Sequence, residues 1–422
     1  MHAVERELAE ICGAGFVRAA GAADMVAGTP ATWVAAPGTL AGLVATVRLA
    51  VSRDLTVVPR GAGTKLDWGA APSQVDLLLD TGRLAGVWFH SPTERMAEVG
   101  AGTPMRAAQA RLARGGQRVA LDPASPDATV GGVIAADEGG PVAHRHGTPA
   151  AQVIGVSYVR ADGALAHSGG RSRGRTADAG AAALLCGSYG TLGVIASVTL
   201  RVQPVPATRV WVRRAVWTPL EVHDLAREVT SSGLEPAAIE FDLPAATPRP
   251  PSGRSRGPGS VAIQLEGGTA TVEEEAVIAQ SLLGGRATRS ATPPSWWRRY
   301  PFGPEDVALR LVASPADLPA AVYALRDAVG SPVPVRGSAG LGVAHAALPG
   351  TIPAQRVAEI IEAVRGVLLR RRGRCLVLSA PSSMRAALDL WGNVADLPLQ
   401  HQIKRRFDPT GRLSPGRHVG GL

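Results

Sequence analysis

Apolar and polar positions in the first half of the chain recur with two periods, one typical of helices and one of strands. Leu40, Leu43, Val47 and Val51 are spaced as on one face of a helix, and Thr39 stands where an N-cap is expected. Short apolar runs bounded by Gly, Pro or Asp predict strands between the helices. The other elements predicted here are strands at 55–58, 75–79, 96–99 and 192–202, a helix at 103–114 and a hairpin over 153–167.

The second half carries one pattern twice. Residues 210–283 follow the order strand, helix, strand, strand, helix, and residues 307–370 repeat it. Two such units suggest a single sheet covered by helices on one side. Segments 244–258 and 287–304 are rich in residues that break regular structure and are predicted to be loops. The run Gln203-Pro204-Val205-Pro206 marks a domain boundary. We therefore expect domains at 1–206 and 207–396, followed by a C-terminal segment at 397–422.

Composition narrows the class of protein. Hydrophobic residues make up 45% of the chain and charged residues 19%, which is typical of a globular protein. The net charge of +9 is the excess of 42 arginines and two lysines over 35 acidic residues, and the basic clusters are scattered along the chain. Only eight Trp, five Phe and four Tyr are available as stacking platforms for bases. We therefore expect no nucleic-acid partner.

The cysteines and the apolar runs bear on the compartment. Cys12, Cys186 and Cys375 lie far apart, and no Cys or His spacing suits zinc or an iron–sulfur cluster. We therefore predict no metal site, free thiols and a cytoplasmic protein. No stretch of about 18 uninterrupted apolar residues occurs, so no transmembrane segment is predicted.

Three segments rich in small residues are the candidates for chemistry. The first, Pro59-Arg60-Gly61-Ala62-Gly63-Thr64, follows a predicted strand, and its glycines allow backbone N–H groups to converge on an anion. It fits neither the Walker A nor the dinucleotide-binding glycine pattern. When this loop is considered alone, a tight turn that binds no ligand explains it equally well. The other two segments are Leu121–Val133 and Gly187–Ile195, and three such loops exceed what simple turns require.

The residues of these segments, together with their order and spacing, resemble those of a known protein family. The runs PRGAGTKLDWG, ASPDATVGGVIA and CGSYGTLGVIASVTLRVQPVP, with the closing IKRRFDPTGRLSPGRHVGG, resemble the FAD-binding domain of the vanillyl-alcohol-oxidase (PCMH-type) flavoprotein superfamily. Within it, LDWG and LWGN…LPLQHQIKRRFDP are most similar to the FAD-binding (E-type) subunits of glycolate oxidases. The likeness spans nearly the whole chain and is diffuse between residues 207 and 390.

The resemblance implies an α+β fold: a PCMH-type FAD-binding domain of two α+β subdomains, then a cap domain with an antiparallel sheet covered by helices. It implies that FAD is bound without a covalent link, because no residue matches the linking motif. The C-terminal segment would return to the FAD domain. The residues that would contact FAD are Pro59, Arg60, Gly61, Ala62, Gly63, Thr64, Ser125, Asp127, Thr129, Gly131, Gly132, Gly187, Ser188, Gly190, Val194 and Ile195.

The resemblance further implies oxidation of a small-molecule 2-hydroxy acid by hydride transfer to flavin. His345 is the candidate base, with a hydrogen-bonded structural histidine as the alternative; His144, His146 and Arg336 are weaker candidates. Segment 296–302 is a candidate lid, docking patch or packing plug. Without a cysteine cluster of its own, the chain would pass electrons to other oxidase subunits, including an iron–sulfur protein. The family's Arg-Asp pair is missing after Arg145, and its Tyr-Asp pair is missing from 174–180. A non-catalytic assembly subunit with weak or no FAD binding is therefore the alternative.

Overall fold

The structure is a computed structural model that describes residues 3–125, 127–170, 179–245, 258–284 and 286–422. The chain divides into two compact units. The first unit comprises the residues up to Gly139, then Gly147–Val205 and Val394–Leu422. The second comprises Gly140–His146 and Pro206–Asn393.

The helices follow the predicted spacing closely. The Thr39 side chain accepts a hydrogen bond from the Gly42 amide at 3.0 Å, so the predicted N-cap is confirmed. The described helices are α1 Ala3–Cys12, α2 Leu40–Ser52, α3 Met105–Ala113, α4 Val130–Ala135, α5 Ala143–His146, α6 Pro149–Gln152, α7 Ala179–Leu185, α8 Pro219–Ser231, α9 Thr269–Leu283, α10 Leu318–Val329, α11 Ala354–Leu369, α12 Ser382–Arg385 and α13 Leu397–Phe407.

The strands of the first unit include short ones that the sequence pattern did not predict. They are β1 Val17–Ala19, β2 Met25–Val26, β3 Thr29–Pro30, β4 Trp33–Ala35, β5 Val57–Arg60, β6 Leu77–Asp80, β7 Val87–Ser91, β8 Met96–Gly100, β9 Gln117–Arg118, β10 Val153–Val159, β11 Leu165–Gly169, β12 Val194–Arg201 and β13 Gln203–Pro204. The strands of the second unit are β14 Thr208–Val216, β15 Ala238–Leu243, β16 Gly259–Gly267, β17 Thr288–Ser290, β18 Val307–Val312, β19 Val335–Ser338, β20 Val343–Leu348 and β21 Arg374–Ser379.

The first unit contains two larger sheets, each with its own core. In the four-stranded sheet β1-β4-β6-β5, β4 and β5 both run parallel to β6. Its core takes in Leu43 and Val47 of α2. The five-stranded sheet β11-β10-β12-β8-β7 is antiparallel, and its core includes residues of α3, α4 and α7. The expected pair of α+β subdomains is confirmed.

The second unit is one antiparallel sheet of eight strands in the order β17-β14-β16-β15-β19-β20-β18-β21. Both β-α-β-β-α repeats are present, so the predicted sheet is confirmed. The middle of β14 and most of β16 are buried, with Val210 to Val212 paired against Ile263 to Leu265. Helices α8 to α11 bury apolar stripes such as Val357, Ile361 and Val364 of α11.

Two expectations about loops were wrong. Residues 287–304 were predicted to be a loop, but 288–290 form the edge strand β17, which pairs with β14. Pro59 and Arg60 were expected in the loop after β5, but they are its last two residues. They pair with Leu79 and Asp80 of β6, and the Arg60 and Asp80 side chains form an ion pair at 2.7 Å.

Candidate cofactor site

The three predicted segments converge on one cavity in the first unit. The cavity encloses about 730 Å³ of space, counting the part open to solvent. Backbone and small side chains make up much of its wall, so main-chain groups are accessible there. Eleven of the predicted contacts line it: Pro59, Arg60, Gly61, Ala62, Gly63, Thr64, Thr129, Gly131, Gly132, Gly190 and Ile195.

The first segment places unused hydrogen-bond donors at the cavity. Within the described residues, no group accepts a hydrogen bond from the amides of Gly61, Ala62, Gly63 or Thr64. Arg60, just before them, is fixed by ion pairs to Asp24 at 2.8 Å and Asp80 at 2.7 Å. The strand thus ends at a rigid residue, and four consecutive amides follow it. Such a run of amides suits an anion.

Glycine is required at the contact between the first and second segments. A Cβ on Gly61 would lie 2.1 Å from Oγ1 of Thr129. Thr129 is itself fixed, because it caps α4 by accepting from the Gly132 amide at 3.3 Å. Gly131 is equally confined, since its Cβ would lie 2.8 Å from that of Ala101. These approaches bring the two backbones together at the cavity wall.

The third segment is held by the C-terminal residues. Gly190 adopts φ +77° and packs against Pro59. A Cβ on Gly190 would lie 3.0 Å from a carbon of the proline ring. The Lys404 ammonium donates to the Thr191 carbonyl and to the Leu413 carbonyl, both at 2.8 Å. The His418 ring lies 5.8 Å from that of Tyr189. The C-terminal segment therefore belongs to the architecture of this site.

Five of the predicted contacts do not line the cavity. Gly187 and Ser188 are bonded within the protein, the Gly187 amide to the Ile134 carbonyl and the Ser188 hydroxyl to the Leu185 carbonyl. Val194 is fully buried in the core. Asp127 is exposed and lies 3.4 Å from Arg106. The Ser125 hydroxyl, behind the wall, accepts from Lys65 at 2.8 Å.

Sequence reasoning did not single out two cations that line the cavity. Lys65 forms a buried ion pair with Glu138, and burial lowers the pKa of its ammonium, which Glu138 opposes. Arg417 donates to the carbonyls of Lys65 and Leu66 at 3.1 and 3.0 Å. Lys65 directly follows the predicted loop, so its position offered a signal. Arg417 is one of many arginines, and only the tertiary structure distinguishes it.

The donor set suits a dinucleotide. Four free amides and three cationic side chains, Arg60, Lys65 and Arg417, line one cavity. Diphosphate oxygens accept hydrogen bonds and carry negative charge, so such a wall complements them. The residues present therefore fit FAD. Across the described ranges, no group of three His, Cys, Asp or Glu residues could hold a metal ion.

The second unit carries the candidate base, His345, in a central strand of its sheet. His345 of β20 pairs with Arg310 of β18 on one side and Arg336 of β19 on the other. Its ring lies 5.0 Å from that of Tyr300 in an edge-on arrangement, and 6.3 Å from that of Phe302. An imidazole, two guanidiniums and two aromatic rings thus lie on one face.

The two arginines beside His345 differ in their partners. Arg336 forms an ion pair with Asp242 at 2.7 Å and donates to the Arg299 carbonyl at 2.9 Å. The Arg310 guanidinium makes no hydrogen bond or ion pair with any described residue, and its Nε is buried. Arg310, which sequence reasoning did not single out, is therefore the cation available for an anion on this face.

The weaker candidates have structural contacts within the second unit. Nε2 of His146 lies 3.0 Å from a Glu266 carboxylate oxygen. The His144 ring packs against Gly340, and burial lowers its pKa. In segment 296–302, Trp297 packs edge-on against Trp211 at 6.1 Å, and the Trp296 indole donates to Ser260. Of the altered stretch 174–180, residues 174–178 lie outside the described part of the chain.

Comparisons with known proteins agree with this geometry. Residues 31–169 match the model of an FAD binding domain. A D-lactate dehydrogenase of Archaeoglobus fulgidus is 32% identical over 160 residues, which are 38% of this chain and only 36% of that enzyme. The glycolate oxidase subunit GlcE of Escherichia coli is 26% identical over 284 residues, 66% of this chain and 74% of the subunit. An FAD-linked oxidoreductase of Mycobacterium tuberculosis is 24% identical over 431 residues, 91% of this chain and 90% of that protein.

A solved structure shows the fold. Alkyldihydroxyacetonephosphate synthase superposes with a TM-score of 0.67 at 15% identity, covering 92% of this chain and 76% of that one. None of the helices in the described ranges is long and apolar enough to cross a membrane. Residues 31–169 therefore match an FAD-binding domain, and the chain is similar over most of its length to an FAD-linked oxidoreductase.

Proposed function

We propose that the chain oxidises a 2-hydroxy acid to the 2-oxo acid with FAD bound non-covalently in the first unit. The observation that carries the proposal is the run of four free amides, Gly61 to Thr64, on the wall of a cavity shared with Arg60, Lys65 and Arg417. Two relatives are named for dehydrogenation of D-lactate and oxidation of glycolate, which are both 2-hydroxy acids.

Each part of the reaction has a proposed residue. The 61–64 amides hold the pyrophosphate, and the neighbouring cations offset its charge. Gly131, Gly132, Gly190 and Ile195 complete the wall against the rest of the cofactor. The flavin, when bound, supplies the hydride acceptor. The hydride leaves C2 of the substrate as the hydroxyl proton leaves its oxygen, so that the C2–O bond becomes a carbonyl.

His345 is the proposed base and Arg310 the proposed carboxylate ligand. A base on the hydroxyl must have a free lone pair that can accept the proton, and an unprotonated imidazole nitrogen supplies one. Arg310 pairs directly with His345 across the strands, and its guanidinium has no other partner among the described residues. A guanidinium binds a carboxylate in a two-pronged geometry, which would fix the substrate hydroxyl relative to the base.

The proposed reaction needs a partner that accepts the two electrons removed from each substrate molecule. Each turnover leaves two electrons on the flavin, and no described group of Cys or His residues could hold a cluster to receive them. We propose that another oxidase subunit, an iron–sulfur protein, accepts these electrons. The similarity to a glycolate oxidase subunit supports a multi-subunit assembly.

The test begins with the purified protein. We expect a yellow protein that releases FAD on denaturation and whose visible flavin absorbance bleaches anaerobically with a 2-hydroxy acid. A protein that carries FAD but is not reduced by a panel of 2-hydroxy acids would contradict the substrate class. A colourless protein that takes up no added FAD would contradict the proposal as a whole and would favour a non-catalytic assembly subunit.

A further inference from the structure

Lysine is confined to two places in this chain. Of 44 basic residues, only Lys65 and Lys404 are lysines. Both lie in the first unit with side chains less than a tenth exposed, and each pairs with a buried carboxylate. In a chain that uses arginine almost everywhere else, these two positions share a need for a small cation. An ammonium offers three donors in a compact tetrahedral arrangement, whereas a guanidinium is planar and larger.

Lys65 connects the first segment to the second. Its Nζ donates to the Ser125 hydroxyl at 2.8 Å and forms an ion pair with Glu138. The other Glu138 oxygen accepts from the Ser125 amide at 3.2 Å. The triad of Lys65, Ser125 and Glu138 thus ties the residue that follows the four free amides to the segment that contains Thr129.

The triad is also close to the cofactor cavity. Lys65 lines the cavity, and its side chain is only 8% exposed. Its Nζ lies 5.1 Å from the ring centroid of Trp68, and its carbonyl accepts from Arg417. Lys65 is therefore held at both its backbone and its ammonium, next to the 61–64 amides.

We propose that Lys65 is a cofactor-positioning residue: its compact ammonium, held by Glu138 and Ser125, fixes the 61–64 amides in register with the Thr129 segment, and arginine cannot replace it. This inference rests on the proposed binding of FAD in this cavity. An arginine would place a longer, planar group where 2.8 Å separates Nζ from the Ser125 hydroxyl. It would push the loop away from Thr129, which already touches Gly61.

A purely structural role for the pair must be separated from positioning. Lys65→Met leaves the Glu138 carboxylate buried without its cation, which destabilises the fold whatever the role of Lys65. The double variant Lys65→Met/Glu138→Gln removes both charges and should recover most of the lost stability. Positioning of the amides still requires the ammonium, so FAD affinity should stay low in the double variant.

The experiment measures two quantities on the full-length apoprotein: the melting temperature and the Kd for FAD, by quenching of flavin fluorescence. We expect Lys65→Arg and the double variant to bind FAD at least 10-fold more weakly than the wild type, with the double variant melting close to it. Lys404→Arg is the comparison, because Lys404 is equally buried but holds the third segment from outside the cavity lining. It should lower the melting temperature and change the Kd less than Lys65→Arg does.

The outcomes separate the two levels of the argument. If the wild type binds FAD and either Lys65→Arg or the double variant binds it equally well, the positioning role is wrong and the proposed function stands. If the wild type takes up no FAD, the proposed function fails and the role of Lys65 fails with it. If the double variant recovers the melting temperature but not the affinity, Lys65 acts on the cofactor site beyond its part in folding.

Discussion

At the scale of single residues, Gly61 shows most directly how the sequence specifies the site. Its missing side chain lets the loop backbone touch Thr129, and the same backbone carries one of the four free amides. Any side chain would have to displace a threonine that is itself fixed as a helix cap. The absence of a side chain at Gly61 therefore allows the close packing and, in the proposed function, leaves the amide available to the cofactor.

Gly61→Ala should weaken FAD binding about 10-fold or more, because the loop must move away from Thr129 to accommodate the methyl group. Fluorescence titration of the apoprotein with FAD gives the Kd. Gly366→Ala is the control, since a Cβ there meets no atom within 4 Å and lies within α11. It should leave the Kd unchanged and raise stability by about 0.5–1 kcal/mol. A Gly61→Ala protein with wild-type affinity would show that this contact does not shape the site.

Substitution of the two residues proposed to contact the substrate should change different kinetic constants. Arg310→Met removes a group that binds the carboxylate before and during reaction, so KM should rise by about 10-fold or more with a smaller change in kcat. His345→Gln removes the proton acceptor, so kcat should fall about 100-fold or more. Steady-state assays with an artificial electron acceptor measure both. Arg336→Met is the comparison for Arg310, and an equal rise in KM there would contradict the assignment.

Asp24, which forms an ion pair with Arg60 of the first segment, should make the stability of the protein depend on pH. Hydrogen bonds from Arg18 foremost, and also from the Gly21 amide and Arg60, hold the pKa of this buried carboxyl well below its usual value, against the effect of burial. A depressed carboxyl pKa contributes stability above the usual value of about 4, and this contribution is lost as pH falls through the native pKa. Asp24→Asn should therefore cost about 1–3 kcal/mol at pH 7, and its deficit should shrink in acid. Urea unfolding at pH 7 and at about pH 3 tests this, and a deficit constant with pH would contradict it.

At the scale of elements, hydrophobic periodicity was sufficient wherever an element packs by itself against a sheet. The repeat in the second unit follows from α8 to α11 and their strands, whose apolar stripes are visible in the sequence. The edge strand β17 was missed because only three residues pair, and their side chains are largely exposed. Its pairing depends on β14, which lies about 75 residues away along the chain.

The cavity was predictable only in part, for a related reason. Glycine-rich segments can be identified from composition, and 11 of the 16 expected contacts line the cavity. The side of each loop that faces the cavity depends on tertiary contacts, so Ser188 and Val194 turn into the core instead. Lys65 directly follows the first segment, but its ion pair with Glu138 and the contacts of Arg417 with backbone carbonyls depend on the tertiary structure.

The C-terminal segment is the element whose loss should affect the site most widely. Asp408 is fully buried, and it accepts from Lys404 at 2.7 Å and from the Leu413 amide at 2.8 Å. Lys404→Met would leave that carboxylate buried without its cation and free the Thr191 carbonyl, so the free energy of unfolding should fall by about 3–5 kcal/mol. Denaturant unfolding measures the loss. Adding Asp408→Asn should restore part of it, and a single variant as stable as the wild type would contradict this role.

At the scale of the whole molecule, the cysteine thiols allow the opening of each unit to be followed separately. Cys12 and Cys186 belong to the first unit, and Cys375 to the second. Burial raises the pKa of the Cys186 and Cys375 thiols to about 12, so few thiolates exist near neutral pH. Burial likewise raises the pKa of Cys12. Cys12 and Cys375 are buried, so their reaction with a thiol reagent must wait for the surrounding structure to open, whereas Cys186 is only partly buried.

This gives a test of where FAD acts. A ligand that binds only the folded first unit stabilises it by mass action, by about 2.7 kcal/mol at a concentration 100 times its Kd. Labelling of Cys12 should then slow by up to about 100-fold when FAD is added, and labelling of Cys375 should slow less. Mass spectrometry of quenched samples follows each thiol by its own peptide, with FMN, which lacks the pyrophosphate, as the control ligand. Equal slowing at Cys12 and Cys375 would mean that the two units open together, and no slowing at Cys12 would mean that FAD does not bind the first unit.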